Sequence, residues 1–365
     1  MRRRLWYTIL DMDVHLSIAT NMPTTVREGD FTCRPPRNLD DIELFEGMRE
    51  LPPSKPIDQI TDNQLQVYGA MTLSTRMKVA HLVNNIDSVR DYQEVLDVGA
   101  KLDRFLEDIN YLFPRQGILN DTQQSKMWRS RVILDMHARR PLLALYRSLA
   151  MGPPDAPSQI TRTHLRSSMV ILKYLDEIDP RQPFFPIIAS MYHQMLKHDI
   201  TQAALSVCYY IQSQHRASSE HMMLGPSHRQ SPEYGGDDFP MYRPETLSIW
   251  SHARLVGTVE KALEILVTHA SGSDTKDILT IALALETVRK PEVRSDDIVH
   301  GLYGVLDALL RSSNVTLETV RSSGHARHDP YGSDSYAGDH ASTGSKAAAA
   351  AAQHFGGWLI WDGWD

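Results

Sequence analysis

The chain has 365 residues, of which 42% are hydrophobic and 23% charged, values typical of a globular protein with a sizeable core. Its net charge of −7 disfavours binding of a polyanion such as DNA by this chain alone. Cys33 and Cys208 are too few for a disulfide framework or a zinc site, and no apolar run approaches the roughly 18 residues of a membrane span. We therefore expect a protein of a reducing compartment that does not insert into a membrane.

The first predicted element is an amphipathic helix over residues 1–20. Its apolar positions recur at steps of four and three residues and so share one face, which further apolar residues widen: Leu5, Ile9, Met12, Leu16 and Ala19, with Trp6, Leu10 and Val14 beside them. A stripe this broad predicts burial on most sides, so we expect the chain to begin inside a larger domain, with residues before Met1 missing. Asp13 lies in this helix and should have a cationic or hydrogen-bonding partner.

The rest of the chain also reads as helical. Prolines make residues 21–61 mainly loop, with a short helix over 40–48 that Asp40 can cap. Apolar periodicity predicts further helices at about 62–83, 88–112, 121–150, 158–178, 187–215, 245–271, 275–289 and 295–311. Pro141 should kink or divide the one that starts at 121. No stretch has a sustained strand pattern, so we predict an all-α fold, a large array of about ten helices.

Composition divides this array from the C-terminal residues of the chain. Residues 1–321 are expected to form one large domain, interrupted by a flexible loop at 216–245 that is rich in serine, glycine and proline. Residues 322–352 contain few aliphatic side chains and are predicted to be disordered. Residues 353–365 form an aromatic and acidic C-terminal segment.

That C-terminal segment holds the candidate partner-binding residues Trp358, Leu359, Ile360, Trp361, Asp362 and Trp364. Acidic residues keep aromatic anchors accessible, and such segments dock into hydrophobic grooves of coactivators. The alternatives are that the tail packs on its own domain or is an artefact of the gene model.

The common sequence motifs of catalysis and metal binding are absent from the chain. It contains no His-Glu-x-x-His, Gly-x-Ser-x-Gly or glycine-rich phosphate loop, so no catalytic, cofactor-binding or metal residue is assigned. Asp40-Asp41-Ile42-Glu43 distantly resembles the magnesium site of an all-α terpene synthase, but without a second acidic motif a helix cap is favoured. Arg2-Arg3-Arg4 is interpreted as surface or ion-paired arginine in preference to a phosphate site.

Several short segments near the N-terminus carry a family resemblance. They are Arg2-Arg3-Arg4-Leu5-Trp6-Tyr7-Thr8, Leu10-Asp11-Met12-Asp13, Leu16-Ser17, Met22-Pro23, Asp30, Pro35 and Arg37-Asn38-Leu39-Asp40-Asp41. In order and spacing they resemble the signature segment of the fungal-specific transcription factor domain, the helical middle region of fungal zinc binuclear cluster regulators. Residues 139–147 are similar to a leucine-rich helix further along that domain.

The resemblance implies the regulatory portion of a nuclear transcription factor acting on RNA polymerase II, with a coactivator or dimer partner and no enzymatic activity. The family's DNA-binding module holds two zinc ions through six cysteines. The two cysteines present cannot supply it, so we expect no cofactor here and DNA contact only through a missing N-terminal module. Two alternatives stay open: an all-α enzyme with a scattered site, and a stand-alone helical interaction protein.

Overall fold

The computed structural model describes residues 2–85, 92–113, 121–152, 156–177, 196–223, 250–270, 274–290 and 294–324. All regular secondary structure within these ranges is helical, which confirms the predicted all-α class. No helix in them is both long and apolar enough to cross a bilayer.

Nine α-helices follow one another in the described ranges. They are α1 (Arg2–Thr20), α2 (Gln64–Asn84), α3 (Tyr92–Leu112), α4 (Asp121–Met151), α5 (Ser158–Lys173), α6 (Lys197–Met223), α7 (His252–Thr268), α8 (Thr275–Val288) and α9 (Ser295–Gly324). Short 3-10 helices occupy Asp41–Glu43 and Tyr174–Glu177. Most predicted helices match within a few residues, but the short helix predicted over 40–48 is wrong beyond the 3-10 helix Asp41–Glu43.

The main differences are at C-terminal ends of helices. The helix α6 continues through residues 216–223, which were predicted as loop, and α9 continues to Gly324 instead of ending near Arg311. The remainder of the predicted loop, 224–249, and the tail from residue 325 lie outside the described residues.

Two hydrophobic clusters share α4. Leu134, Leu142 and Leu145 belong to a cluster with α1, α2 and α3, while Val132 and Met136 belong to one with α5, α6, α7 and α8. All five side chains are at most 1% exposed. A helix that is apolar on two opposite sides is buried between other elements, so α4 packs against both clusters.

Pro141 lies inside α4 without dividing it. The helix runs from Asp121 to Met151, so of the two predicted outcomes the division is wrong and the kink stays a prediction. Proline cannot donate a hydrogen bond to the carbonyl of His137, but Ala138 and Leu142 on either side are buried and hold the helix against its neighbours.

The orientation of α1 differs from the prediction. Its buried face consists of Tyr7, Leu10, Val14, Ser17 and Ile18. The predicted core stripe instead faces solvent, with exposures of 65% for Leu5, 45% for Ile9, 58% for Met12 and 56% for Leu16. Both apolar sets have helical spacing, and periodicity alone cannot say which one packs on α2. The expected burial on most sides is therefore wrong.

The backbone groups into two compact units, Met1–Asn314 and Val315–Asp365. The helices α1 to α8 and their side-chain contacts lie within the first unit. The predicted boundaries at residues 321 and 352 stay predictions.

Candidate functional site

A group of charged side chains lies beneath α1. Asp11 and His15 are four residues apart, so they leave the helix on the same side. An Asp11 oxygen is 2.5 Å from Nη1 of Arg76 in α2, and the other is 3.3 Å from Nε2 of His137 in α4. Asp11 thereby joins three helices.

Arg140, one turn after His137 in α4, extends this group to α6. Its Nε donates to Oδ1 of Asp199 at 2.8 Å and its Nη2 donates to Oδ2, a two-bonded geometry that is strong and directional. Its Nη1 lies 2.6 Å from Nδ1 of His15. We call the six side chains from four helices the charged cluster: Asp11, His15, Arg76, His137, Arg140 and Asp199.

The charges within the cluster balance when both imidazoles are neutral. Burial lowers the pKa of His137 to about 3, and the charge of Arg76 acts in the same direction. Burial also lowers the pKa of His15, with Arg140 as the second cause. A neutral His15 ring can accept the Arg140 hydrogen bond, which agrees with the short contact. Two carboxylates then neutralise two guanidinium groups.

Asp11 and Arg76 have further interactions. Burial would raise the pKa of Asp11, but the neighbouring His137 and Arg76 outweigh it and lower that pKa. Arg76 is 3% exposed and donates to the carbonyl of Gly69 at 2.8 Å and to the hydroxyl of Thr72 at 3.3 Å. A buried arginine with this many partners stabilises one arrangement of the surrounding helices.

The cluster is suited to positioning helices and not to catalysis. Both of its carboxylates contact guanidinium groups, so neither is free to take a proton from a substrate. Removing one partner of a buried pair leaves the other charge uncompensated, which is strongly destabilising. The cluster therefore fixes how α1, α2, α4 and α6 sit against one another.

The loop residues that carry the family resemblance hold the start of α2. Asn38 is 1% exposed and donates to the carbonyls of Pro56 at 2.6 Å and Gln59 at 3.2 Å. Its carbonyl accepts the hydroxyl hydrogen of Thr61. Asp40 accepts from the backbone N–H of Asp62 at 3.1 Å. These bonds give Asn38 and Asp40 a structural role, because they hold the loop before α2 in place.

The acidic run at residues 40–43 is neutralised by basic side chains. Asp40 and Glu43 each lie 2.7 Å from Nζ of Lys55, and Asp41 contacts Arg4. Hydrogen bonding by Lys55 is the main cause of the lowered pKa of Glu43. The arrangement favours the helix-cap interpretation: Asp40 precedes the 3-10 helix and its N–H donates to Glu43 at 2.9 Å.

The other expectations for α1 concern Asp13 and the arginines. Asp13 accepts hydrogen bonds from the backbone N–H groups of Thr25 and Val26, both at 3.1 Å, so the predicted partner exists and is the following loop. Arg4 pairs with Asp41, while Arg2 and Arg3 are exposed.

A small crevice lies between α4, α5 and α6. His164 lines it and is 4% exposed, and its Nε2 has no hydrogen-bond partner among the described residues. Burial, followed by the charge of Arg147, lowers the pKa of His164 to about 3. The free space in it, about 10 Å³, is enough for at most one water molecule. Among the described residues, no three His, Cys, Asp or Glu side chains converge as metal ligands would.

The sequence-predicted binding residues Trp358, Leu359, Ile360, Trp361, Asp362 and Trp364 lie outside the described residues. Conversely, sequence reasoning missed Arg76, His137 and Asp199. The available signal was a charged residue flanked by core positions, as with Arg76 between Leu73 and Met77. That signal indicates a buried charge but not its partner.

Comparison with known proteins finds relatives that are named as transcription factors. Transcription factor opdR of Penicillium oxalicum is 29% identical over 184 residues, which are 49% of this chain and 23% of that protein. The fusarisetin A cluster transcription factor fsa6 of a Fusarium species is 26% identical over 218 residues, 58% of this chain and 29% of that protein. Transcription factor phm2 of a Pyrenochaetopsis species is 22% identical over 298 residues, 77% of this chain and 38% of that protein.

No family model matches the chain, and no solved structure does. The chain spans less than a third of the first two relatives, at 23% and 29% of their lengths. It is a homologue of fungal pathway-specific transcription factors, which confirms the class that its N-terminal segment resembles.

Proposed function

We propose that the chain is the regulatory part of a fungal transcription factor that acts in the nucleus on the transcription of a biosynthetic gene cluster by RNA polymerase II. The observation that carries this proposal is the run of relatives named as transcription factors, two of them for the fusarisetin A and equisetin clusters. The match to phm2 extends over 77% of the chain, so it includes much of the helical body.

We further propose that the chain is not an enzyme and works without a cofactor. The composition of the charged cluster supports this, because its acids are paired with arginines. The chain has two cysteines, so the six-cysteine DNA-binding module of the family is not within these 365 residues. Contact with DNA would then require a module outside this sequence.

A reporter fusion tests the regulatory role. The full chain is fused to a neutral DNA-binding domain and placed upstream of a reporter gene, with the DNA-binding domain alone as the reference. We expect transcription to rise or fall relative to that reference at equal protein abundance, as measured on an immunoblot. Identical reporter output in several fungal hosts would reject a regulatory activity within this chain.

The C-terminal aromatic segment is proposed as a docking site for a coactivator, since its acids keep the aromatic anchors accessible. In the same assay, replacing Trp358, Trp361 and Trp364 by serine should lower activation, whereas replacing Ser342, Ser345 and Thr343 by alanine should not. Residues 353–365 fused alone should also raise the reporter. If the tryptophan variant activates as well as the parent, this segment is not the docking site, while the regulatory role of the body would still stand.

A further inference from the structure

The described side chains of α9 hold this helix to the protein through a small buried area. They extend to Ser312, within the first compact unit, and only Leu309 among them is buried. The preceding helix α8 is shorter and buries five residues, and α7 buries six. Segments with few buried apolar contacts open at a low cost in free energy.

Two contacts show that α9 lies antiparallel along α8. A Cβ on Gly301 would be 2.7 Å from Cγ of Glu286, close to the C-terminal end of α8. Further along α9, the hydroxyl of Ser312 donates to the carbonyl of Thr268 at 3.5 Å. Thr268 is the last residue of α7, just before the chain enters α8. The helix α9 therefore runs back from the end of α8 towards its beginning.

The inner face of α9 is a narrow apolar strip. Leu302, Val305 and Leu309 follow one another at steps of three and four, which places them on one side of the helix. Leu309 belongs to the hydrophobic cluster of α5 to α8, and the other two are partly buried against that cluster. These three side chains cover apolar surface of the body that would otherwise meet water.

The helix also has low stability of its own. Gly301 and Gly304 lie inside it, and glycine is the poorest helix former except proline. The ion pair between Asp307 and Arg311 is within α9, and its side chains are 65% and 73% exposed, so it adds little and does not join the helix to α8.

We propose that α9 is a detachable strap: it leaves α8 as a unit while α1 to α8 stay folded. Undocking uncovers the apolar surface beneath Leu302, Val305 and Leu309, so the position of α9 sets whether that surface is accessible. Such an equilibrium between two states can be shifted by whatever binds one of them. The inference concerns only the packing of α9, so it is independent of the proposed transcriptional role.

Hydrogen exchange of the full chain, followed by mass spectrometry at neutral pH, tests whether α9 opens separately. Relative to their intrinsic rates, the amides of residues 302–312 should exchange at least about 100-fold faster than those of residues 278–288 in α8. Equal protection of the two helices would overturn the proposal, because α9 would then open only together with the body.

Two glycine variants test whether the contact with α8 holds α9. Gly301→Leu puts a side chain where Glu286 lies and should speed exchange in α9 by about tenfold, while α8 keeps its protection. Gly304→Leu is the matched control in the same helix. Nothing lies within 4 Å of a Cβ at that position, so this change should slow exchange in α9 or leave it as in the parent. Slower exchange with Gly301→Leu, or an equal loss of protection in α8, would contradict the strap.

A disulfide between α8 and α9 provides the reverse test. In a Cys33→Ser background, Gly301→Cys and Glu286→Cys place two Cβ atoms at most about 4.2 Å apart, which suits a disulfide. Oxidation should slow exchange in α9 towards the rate of α8, and reduction should restore the faster rate. Unchanged exchange in the oxidised protein, with the disulfide verified by mass spectrometry, would show that α9 does not open by leaving α8.

Discussion

Arg140 of α4 and Asp199 of α6 are joined by two hydrogen bonds, from Nε to Oδ1 at 2.8 Å and from Nη2 to Oδ2. The two residues are 59 positions apart, and Asp199 is 7% exposed. The same guanidinium reaches His15 of α1, so one side chain ties three helices together.

Replacing Asp199 by alanine should lower the free energy of unfolding by about 3 kcal/mol, because it leaves a guanidinium largely buried without its counter-charge. Thermal unfolding followed by circular dichroism measures the effect. Asp307→Ala is the control, since Asp307 pairs with Arg311 while the two side chains are 65% and 73% exposed. That pair should contribute less than about 0.5 kcal/mol. Equal melting temperatures for the two variants would mean that the cluster does not stabilise the helices.

Gly99 allows α3 to approach α4 closely. A Cβ at this position would overlap the hydroxyl oxygen of Tyr146, whose side chain is 1% exposed. Gly99→Ala should therefore cost about 1 to 3 kcal/mol through overpacking, despite the better helix propensity of alanine. Gly304→Ala in α9, where nothing lies within 4 Å, should instead raise stability slightly. Stabilisation by both substitutions would contradict the close contact.

Stability should fall in mild acid because of two buried histidines. The pKa values of His137 and His164 drop from 6.5 in the unfolded chain to about 3 in the folded protein. Between those limits the unfolded chain binds protons that the folded chain does not. Each histidine therefore removes about 1.4 kcal/mol of stability per pH unit below 6.5, and nothing above it.

Melting temperatures between pH 7 and pH 4.5 check this dependence. His164→Gln removes the contribution of one histidine. Its melting temperature should therefore fall less steeply between pH 7 and pH 4.5 than that of the parent. His81→Gln, at an exposed position of α2, should leave the profile as it is in the parent. Parallel profiles for the parent and His164→Gln would show that His164 protonates equally in both states.

Asp13 holds the loop after α1. Asp13→Leu removes the acceptor of the Thr25 and Val26 N–H groups and should cost about 1 to 2 kcal/mol, because two backbone donors lose their partner. Asp13→Asn keeps one side-chain acceptor and should lose less. Urea unfolding gives both values. An unchanged or higher stability of Asp13→Leu would contradict the role of this carboxylate.

Helix positions could be predicted from the sequence because they depend on local spacing. The end of α6 is the instructive exception. Ser218 and Ser219 suggested a loop, but adding residues to an existing helix costs little compared with starting one, so α6 continues to Met223. Short polar runs next to a long apolar helix are therefore weak stop signals.

The charged cluster could not be predicted, because its pairs are set by the packing of distant helices. Arg140 and His15 are 125 residues apart. The outward orientation of α1 has a similar cause: Leu10 and Leu16 belong to different faces, both with helical spacing, and only contact with α2 distinguishes them.

Transcript levels in the fungus that carries this gene test the regulatory assignment most directly. RNA sequencing compares a strain lacking the gene with its parent and with the same strain after the gene is restored. The proposed function predicts that transcripts of one contiguous set of biosynthetic genes change together in the deletion strain and return when the gene is restored. Unchanged transcripts of every such gene set, under conditions in which the parent expresses the protein, would contradict it.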